Sequence, residues 1–209
     1  MPETLSIAVG PHRLEGHLCL MSPSRGVVVF AHGSGSSRHS RRNRLVAEAL
    51  QHRGLGTLLF DLLTEEEARD RANVFDIPLL AQRVGHAIDD LSVRCSQPIG
   101  LFGASTGAGA ALVAAAQYPK LVRAVVSRGG RPDLAGDALA NVLAPTLLIV
   151  GGADPEVMAL NRSALDRLRC KKQLKIVPRA THLFEETGAL DVVASLAGAW
   201  FLQHLGPVD

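Results

Sequence analysis

Short apolar runs alternate with stretches of helical spacing along almost all of this 209-residue chain, and that alternation narrows the possible folds more than any other feature. Leu5 to Val9 and Leu14 to Leu20 read as an opening pair of strands, a hairpin across Gly10-Pro11. Gly26 to Ala31 is a continuous apolar run, as expected of a strand buried on both faces. Arg41 to Arg53 follows with helical spacing at Leu45, Val46, Ala49 and Leu50, and Leu55 to Leu62 is the next strand. A charged loop, Thr64 to Asp76, leads into a helix from Ile77 to Arg94. Pro98 to Phe102 is apolar again and runs through Gly103-Ala104-Ser105-Thr106-Gly107 into a helix ending near Gln117. The remainder reads as a strand Leu121 to Ser127, a segment Pro132 to Asn141 of undecided helicity, and a strand Pro145 to Gly151. A helix Glu156 to Arg169, a strand Leu174 to Val177 and a helix Ala189 to His204 complete the chain. Strands separated by helices imply a mostly parallel, twisted sheet of about eight strands with helices on both faces.

The length suits one domain, 1–209, and is short for two. A net charge of +2 points to no polyanionic partner, and nucleic acid is not expected. Three scattered cysteines (Cys19, Cys95, Cys170), with no C-x-x-C spacing, read as free thiols in a reducing compartment, with no structural metal. Met1-Pro2-Glu3-Thr4-Leu5 has neither a basic nor an apolar leader region, and no apolar run approaches the roughly 20 residues of a membrane span. The expectation is a cytoplasmic protein without a membrane partner; the oligomeric state is left open.

The stretch Gly103 to Gly107 has the form G-x-S-x-G, placed between a strand and a small-residue helix. Such a turn is sharp enough to expose its serine above the sheet, and its glycines are needed where backbone passes too close for a Cβ. A serine nucleophile needs a base, and the base an orienting acid. Asp154 follows the strand ending at Gly151-Gly152, and His182 follows the strand ending near Val177, in the order serine, acid, histidine. Asp154 also stands where it caps the helix begun by Pro155. Asp133, after the preceding strand, is the rival acid. Two backbone N–H groups are expected to hold an oxyanion: that of Thr106, and that of Ser34 in His32-Gly33-Ser34-Gly35-Ser36-Ser37. His32 itself reads first as a brace for this loop and second as a substrate contact.

Together these motifs resemble those of small α/β hydrolases of the dienelactone-hydrolase-like group, over nearly the whole chain. The likeness rests on the His32–Ser37 loop, the turn around Ser105, Gly152-Ala153-Asp154-Pro155 and Thr181-His182-Leu183-Phe184. It implies ester or lactone hydrolysis through an acyl-enzyme, with no metal or organic cofactor. Dienelactone hydrolases use a cysteine where this chain has Ser105, which favours a general carboxylesterase. Only Arg128 to Leu143 stands where larger relatives carry a lid, so an open site without a lid domain is expected.

Two charge clusters remain. Arg38, His39, Arg41 and Arg42 crowd a helix N-terminus, where the macrodipole disfavours cations; Glu65, Glu66 and Glu67 are the expected counter-charges. Arg128 and Arg131 follow a strand end near the site and read either as solvated surface residues or, with Arg38, as contacts for an anionic substrate. The reading is a serine hydrolase of small carboxylic esters, anionic ones among them, with Ser105 as nucleophile, His182 as base and Asp154 as acid. A thioesterase or acyltransferase with the same triad, and a non-catalytic binding module on the same fold, stay open beside it.

Overall fold

The structure is a computed structural model that describes residues 3–206; Met1 and Pro2, part of the leader stretch read above, lie outside it. Eight strands form one sheet: β1 (Glu3–Val9), β2 (Leu14–Leu20), β3 (Val27–Ala31), β4 (Gly56–Phe60), β5 (Ile99–Ala104), β6 (Val122–Arg128), β7 (Thr146–Gly151) and β8 (Lys172–Val177). Their order is β1-β2-β4-β3-β5-β6-β7-β8. β1, β2 and β4 pair antiparallel, and every pair from β4-β3 to β7-β8 is parallel.

The long helices are α1 (Arg41–Gln51), α3 (Ile77–Arg94), α4 (Thr106–Gln117), α5 (Pro155–Arg167) and α6 (Ala189–His204), with a five-residue α2 (Arg71–Phe75). Alternate strand residues feed two cores. Val27, Val29, Leu101 and Val125 pack with α3 and α4 on one face. Val28, Phe30, Phe102 and Val126 pack with α1 and α6 on the other. Every residue of β3, β5 and β7 is buried, which explains their uninterrupted apolar sequences.

Element types agree with the sequence reading, while several ends move. The charged loop Thr64 to Asp76 contains a 3-10 turn (Glu67–Arg69) and α2. Pro132–Asn141 is 3-10 helical with a kink at Gly136, and packs on α4 and α5 rather than forming a lid. β8 begins at Lys172, two residues early, because an edge strand tolerates exposed lysine and glutamine. β6 runs one residue past Ser127 and so takes Arg128 into the sheet.

The parallel order brings the loops after β3, β5, β6, β7 and β8 to one edge. Between β3 and β5 the chain switches direction, since β4 lies on one side of β3 and β5 on the other. Loops diverging at such a point leave a crevice where ligands bind.

Candidate active site

Ser105 leaves β5 with φ +50° and ψ −125° and enters α4 at the next residue. This is strained backbone for a side chain, and its surroundings lock it in place. A Cβ on Gly103 would lie 2.4 Å from the Cα of Ala108, and one on Gly107 2.2 Å from the carbonyl oxygen of Ala31. Both flanking glycines are therefore required by close packing. The Ser105 carbonyl accepts from Ala108 N–H (3.1 Å) and Arg131 N–H (2.9 Å), tying the turn to the loop after β6.

His182 and Ser105 line one crevice of about 200 Å³. His182 donates from Nδ1 to Asp154 Oδ2 at 2.9 Å, which leaves Nε2 as the basic nitrogen. Asp154 caps α5 with its other oxygen, Oδ1, which accepts from Val157 N–H at 3.3 Å. Asp133, the rival acid, instead takes a forked pair of bonds from the Arg131 guanidinium. Gly129, at φ +51°, keeps the His182 loop close: a Cβ there would meet the His182 carbonyl oxygen at 2.9 Å.

The loop after β3 departs from expectation at one bond. Ser34 N–H donates to the Thr106 hydroxyl at 2.9 Å, so it is engaged rather than free to hold an oxyanion. Thr106 N–H, at the first position of α4, makes no hydrogen bond among the described residues. His32 proves to be a brace. Its Nδ1 donates to the Gly33 carbonyl (3.0 Å) and its Nε2 accepts from Leu62 N–H (3.1 Å), leaving no ring nitrogen for a substrate. Burial pushes its pKa below the ordinary value, against the smaller opposing effect of the Gly33 bond.

The arginines separate into two kinds. Arg38 is held by Asp61 and Glu15, and Arg131 by Asp133; both have their charge satisfied, and neither is available as the anion contact expected of it. The expected counter-charges also differ: Glu67 pairs with Arg83 (2.7 Å), and Arg42 pairs with Glu185 (3.0 Å). Arg128 is no surface residue: it is 6% exposed and lies over the Phe184 ring, 5.9 Å from its centroid. One terminal nitrogen, Nη2, donates to Asn43 Oδ1 at 3.2 Å, and no carboxylate among the described residues forms an ion pair with it. Burial, with Arg42 nearby, lowers its pKa to about 10. Arg42 and Asn43 line the Ser105 crevice with it, and the sequence reading missed both as site residues. The arginine cluster at the start of α1 was the available signal.

A second, larger hollow of about 550 Å³ lies along the other side of the β3 loop and shares Gly33, Ser34 and Ser36 with the first. Among the described residues, no three His, Cys, Asp or Glu side chains are grouped to hold a metal ion, and no helix is long and apolar enough to cross a membrane.

An eight-stranded, mostly parallel sheet with a serine on a strained strand-to-helix turn defines an α/β hydrolase domain. The chain belongs to that family: the α/β hydrolase domain model (Abhydrolase_11) matches residues 24–194. The chain is similar to a dienelactone hydrolase from Anabaena variabilis, with 55% identity, 98% of each chain covered and a TM-score of 0.91. It shares its fold with Est1E from Butyrivibrio proteoclasticus at 14% identity, with 96% of this chain and 98% of that one covered and a TM-score of 0.81. A Mycobacterium tuberculosis protein provisionally named a phosphoribosyl transferase is 60% identical over 98% of this chain. The chain spans about half of that relative's length, 47%.

Proposed function

We propose that this hydrolase cleaves small carboxylic esters through an acyl-enzyme on Ser105. The observation that carries the reading is the 2.9 Å pairing of His182 Nδ1 with Asp154, opening onto the crevice that also contains Ser105. In this reading Ser105 Oγ attacks the ester carbonyl carbon while His182 Nε2 takes its proton. The proton then passes to the leaving alkoxide, and water deacylates the serine by the same route in reverse. Asp154 keeps Nδ1 protonated and stabilises the imidazolium. Thr106 N–H is the donor ready for the oxyanion. Ser34 N–H joins it once the Thr106 hydroxyl turns away, each donor contributing about 3 kcal/mol.

The same residues serve thioester hydrolysis or acyl transfer, which differ only in leaving group or acceptor. We do not extend to this chain the phosphoribosyl transfer named for its longer relative, since more than half of that protein lies outside the match. Three free cysteines accord with a cytoplasmic, reducing setting.

The test is labelling with a fluorophosphonate probe and mapping of the modified peptide, then a panel of esters, lactones and thioesters. Label on Ser105 with ester turnover supports the reading. An unlabelled, folded protein would turn it toward a binding module, and a strong thioester preference toward thioesterase chemistry.

A further inference from the structure

The crevice beside Ser105 carries more positive charge than cleavage of a neutral ester requires. Arg42 and Arg128 both line it, and its lining contains no carboxylate. Arg128 is the decisive residue, because a buried guanidinium without an anion is costly unless a ligand supplies one. It has Asn43 and the Phe184 ring for company, and its Nε is sealed without a partner. The remaining terminal nitrogen, Nη1, makes no hydrogen bond among the described residues and is not sealed. Arg128 therefore keeps one accessible donor.

A second source of positive potential is the N-terminus of α1. Ser40, Arg42 and Asn43 bring that eleven-residue helix to the crevice, and its first turn contains arginines and no acid. Cations there oppose the helix dipole, and a bound anion relieves the conflict. Ser40 Oγ caps the helix by accepting from Asn43 N–H, which leaves its own proton to donate. Arg42 adds a third contribution. Its Nη1 reaches the exposed Glu185 at the rim and its Nε is sealed without a partner, which leaves Nη2 as the donor not engaged among the described residues.

We propose that this crevice is a phosphate subsite, and that the enzyme acts on esters that themselves carry a phosphate monoester group. Three side chains bring donors to it: Arg128 from the end of β6, and Arg42 and Ser40 from the start of α1. A tetrahedral group with three terminal oxygens can meet all three, whereas a planar carboxylate offers two oxygens. The ester half of the proposal rests on the serine-hydrolase reading; the phosphate half stands on Arg128, Arg42 and α1 alone. At neutral pH the lowered pKa of Arg128, about 10, still leaves it cationic.

Two ester pairs test it: 2-acetoxyethyl phosphate against 2-methoxyethyl acetate, and the methyl ester of phosphoglycolate against methyl methoxyacetate. At least one phosphorylated ester should exceed its neutral partner in kcat/KM by about tenfold or more at low salt. Arg42→Ala, at a partly exposed position, should cut that ratio by about tenfold. Arg128→Met, which keeps an apolar stem over Phe184, should do the same while remaining folded by circular dichroism. A second readout needs no turnover: inorganic phosphate should raise the melting temperature of Ser105→Ala protein above that in chloride of equal ionic strength. A phosphate-dependent shift without hydrolysis of any ester keeps the subsite and sinks the hydrolase reading. No shift, ratios near one in both pairs, or ratios unchanged in both variants would overturn the subsite. Monomethyl succinate turned over as well as the phosphorylated esters would overturn the choice of phosphate.

Discussion

Ser105 holds its backbone at φ +50° because β5, α4 and the loop after β6 leave the chain no other path. A residue so placed stores strain of about 1–3 kcal/mol, which the surroundings offset. Ser105→Ala should lower kcat by at least about a thousandfold with the fold intact. Ser105→Gly should be as inactive yet unfold at the same temperature or higher, since glycine accepts that backbone without penalty. A Ser105→Ala protein retaining a few per cent of turnover would rule the serine out as nucleophile. The acid is tested in the same way. Asp154→Asn should cripple turnover, and Asp133→Asn should leave it within a few fold, because Asp133 is occupied by Arg131. The reverse pattern would transfer the role. The meeting of Asp154 with His182 was legible in the sequence because each follows a parallel strand, and parallel strands end at one edge. The burial of Arg128 was not, because an arginine after an apolar run reads as the first exposed residue. Here β6 continues through it, and Phe184 and Asn43, from elements far along the chain, cover it.

At the scale of single elements, the loop after β3 is braced from within by a buried imidazole. His32 spans from the Gly33 carbonyl to Leu62 N–H beyond β4, and only its neutral form can accept from Leu62. Burial holds its pKa in the fold below the ordinary value near 6.5, so the unfolded chain takes up the proton first as pH falls. Its contribution to stability is full above about pH 6.5 and is lost as pH drops toward the folded-state value. His17, His86 and His204, also lowered chiefly by burial, act in the same direction. Urea unfolding should therefore give less stability at about pH 5.5 than at about pH 7.5, and His32→Gln should lose less over that interval. An identical loss in the variant would assign the effect to the other histidines. The continuous apolar sequences of β3, β5 and β7 made those strands plain in advance. The polar edge strand β8 and the short α2 showed only in part, because neither buries enough apolar surface to write a period into the sequence.

For the whole molecule, the question is how much substrate the sheet edge can enclose. The segment between β6 and β7 lies as a 3-10 turn on α4 and α5, so among the described residues it forms no roof over the crevice. The 200 Å³ space at Ser105 is walled on one side by Gly33, Ser34 and Ser36, and behind that wall lies the 550 Å³ hollow. That hollow is lined by Leu14, Leu62, Leu63, Val74 and Leu80 as well as by Glu15, Arg38, Asp61 and Glu65, a mixed surface set behind the wall and apart from Ser105. A long acyl tail kept on the Ser105 side of the wall would leave most of its apolar area in water, and would gain little of the roughly 25 cal/mol per Å² that burial yields. Extra methylenes should therefore bring no gain in transition-state binding. With p-nitrophenyl esters, kcat/KM should be highest for acetate to butyrate and fall by about tenfold or more by decanoate, measured below the micellar range. A rise with chain length would mean that the leucine side of the larger hollow receives the acyl group. The acyl chain would then pass the wall at Ser34 and Thr106, whose 2.9 Å hydrogen bond also breaks when Ser34 N–H turns to the oxyanion.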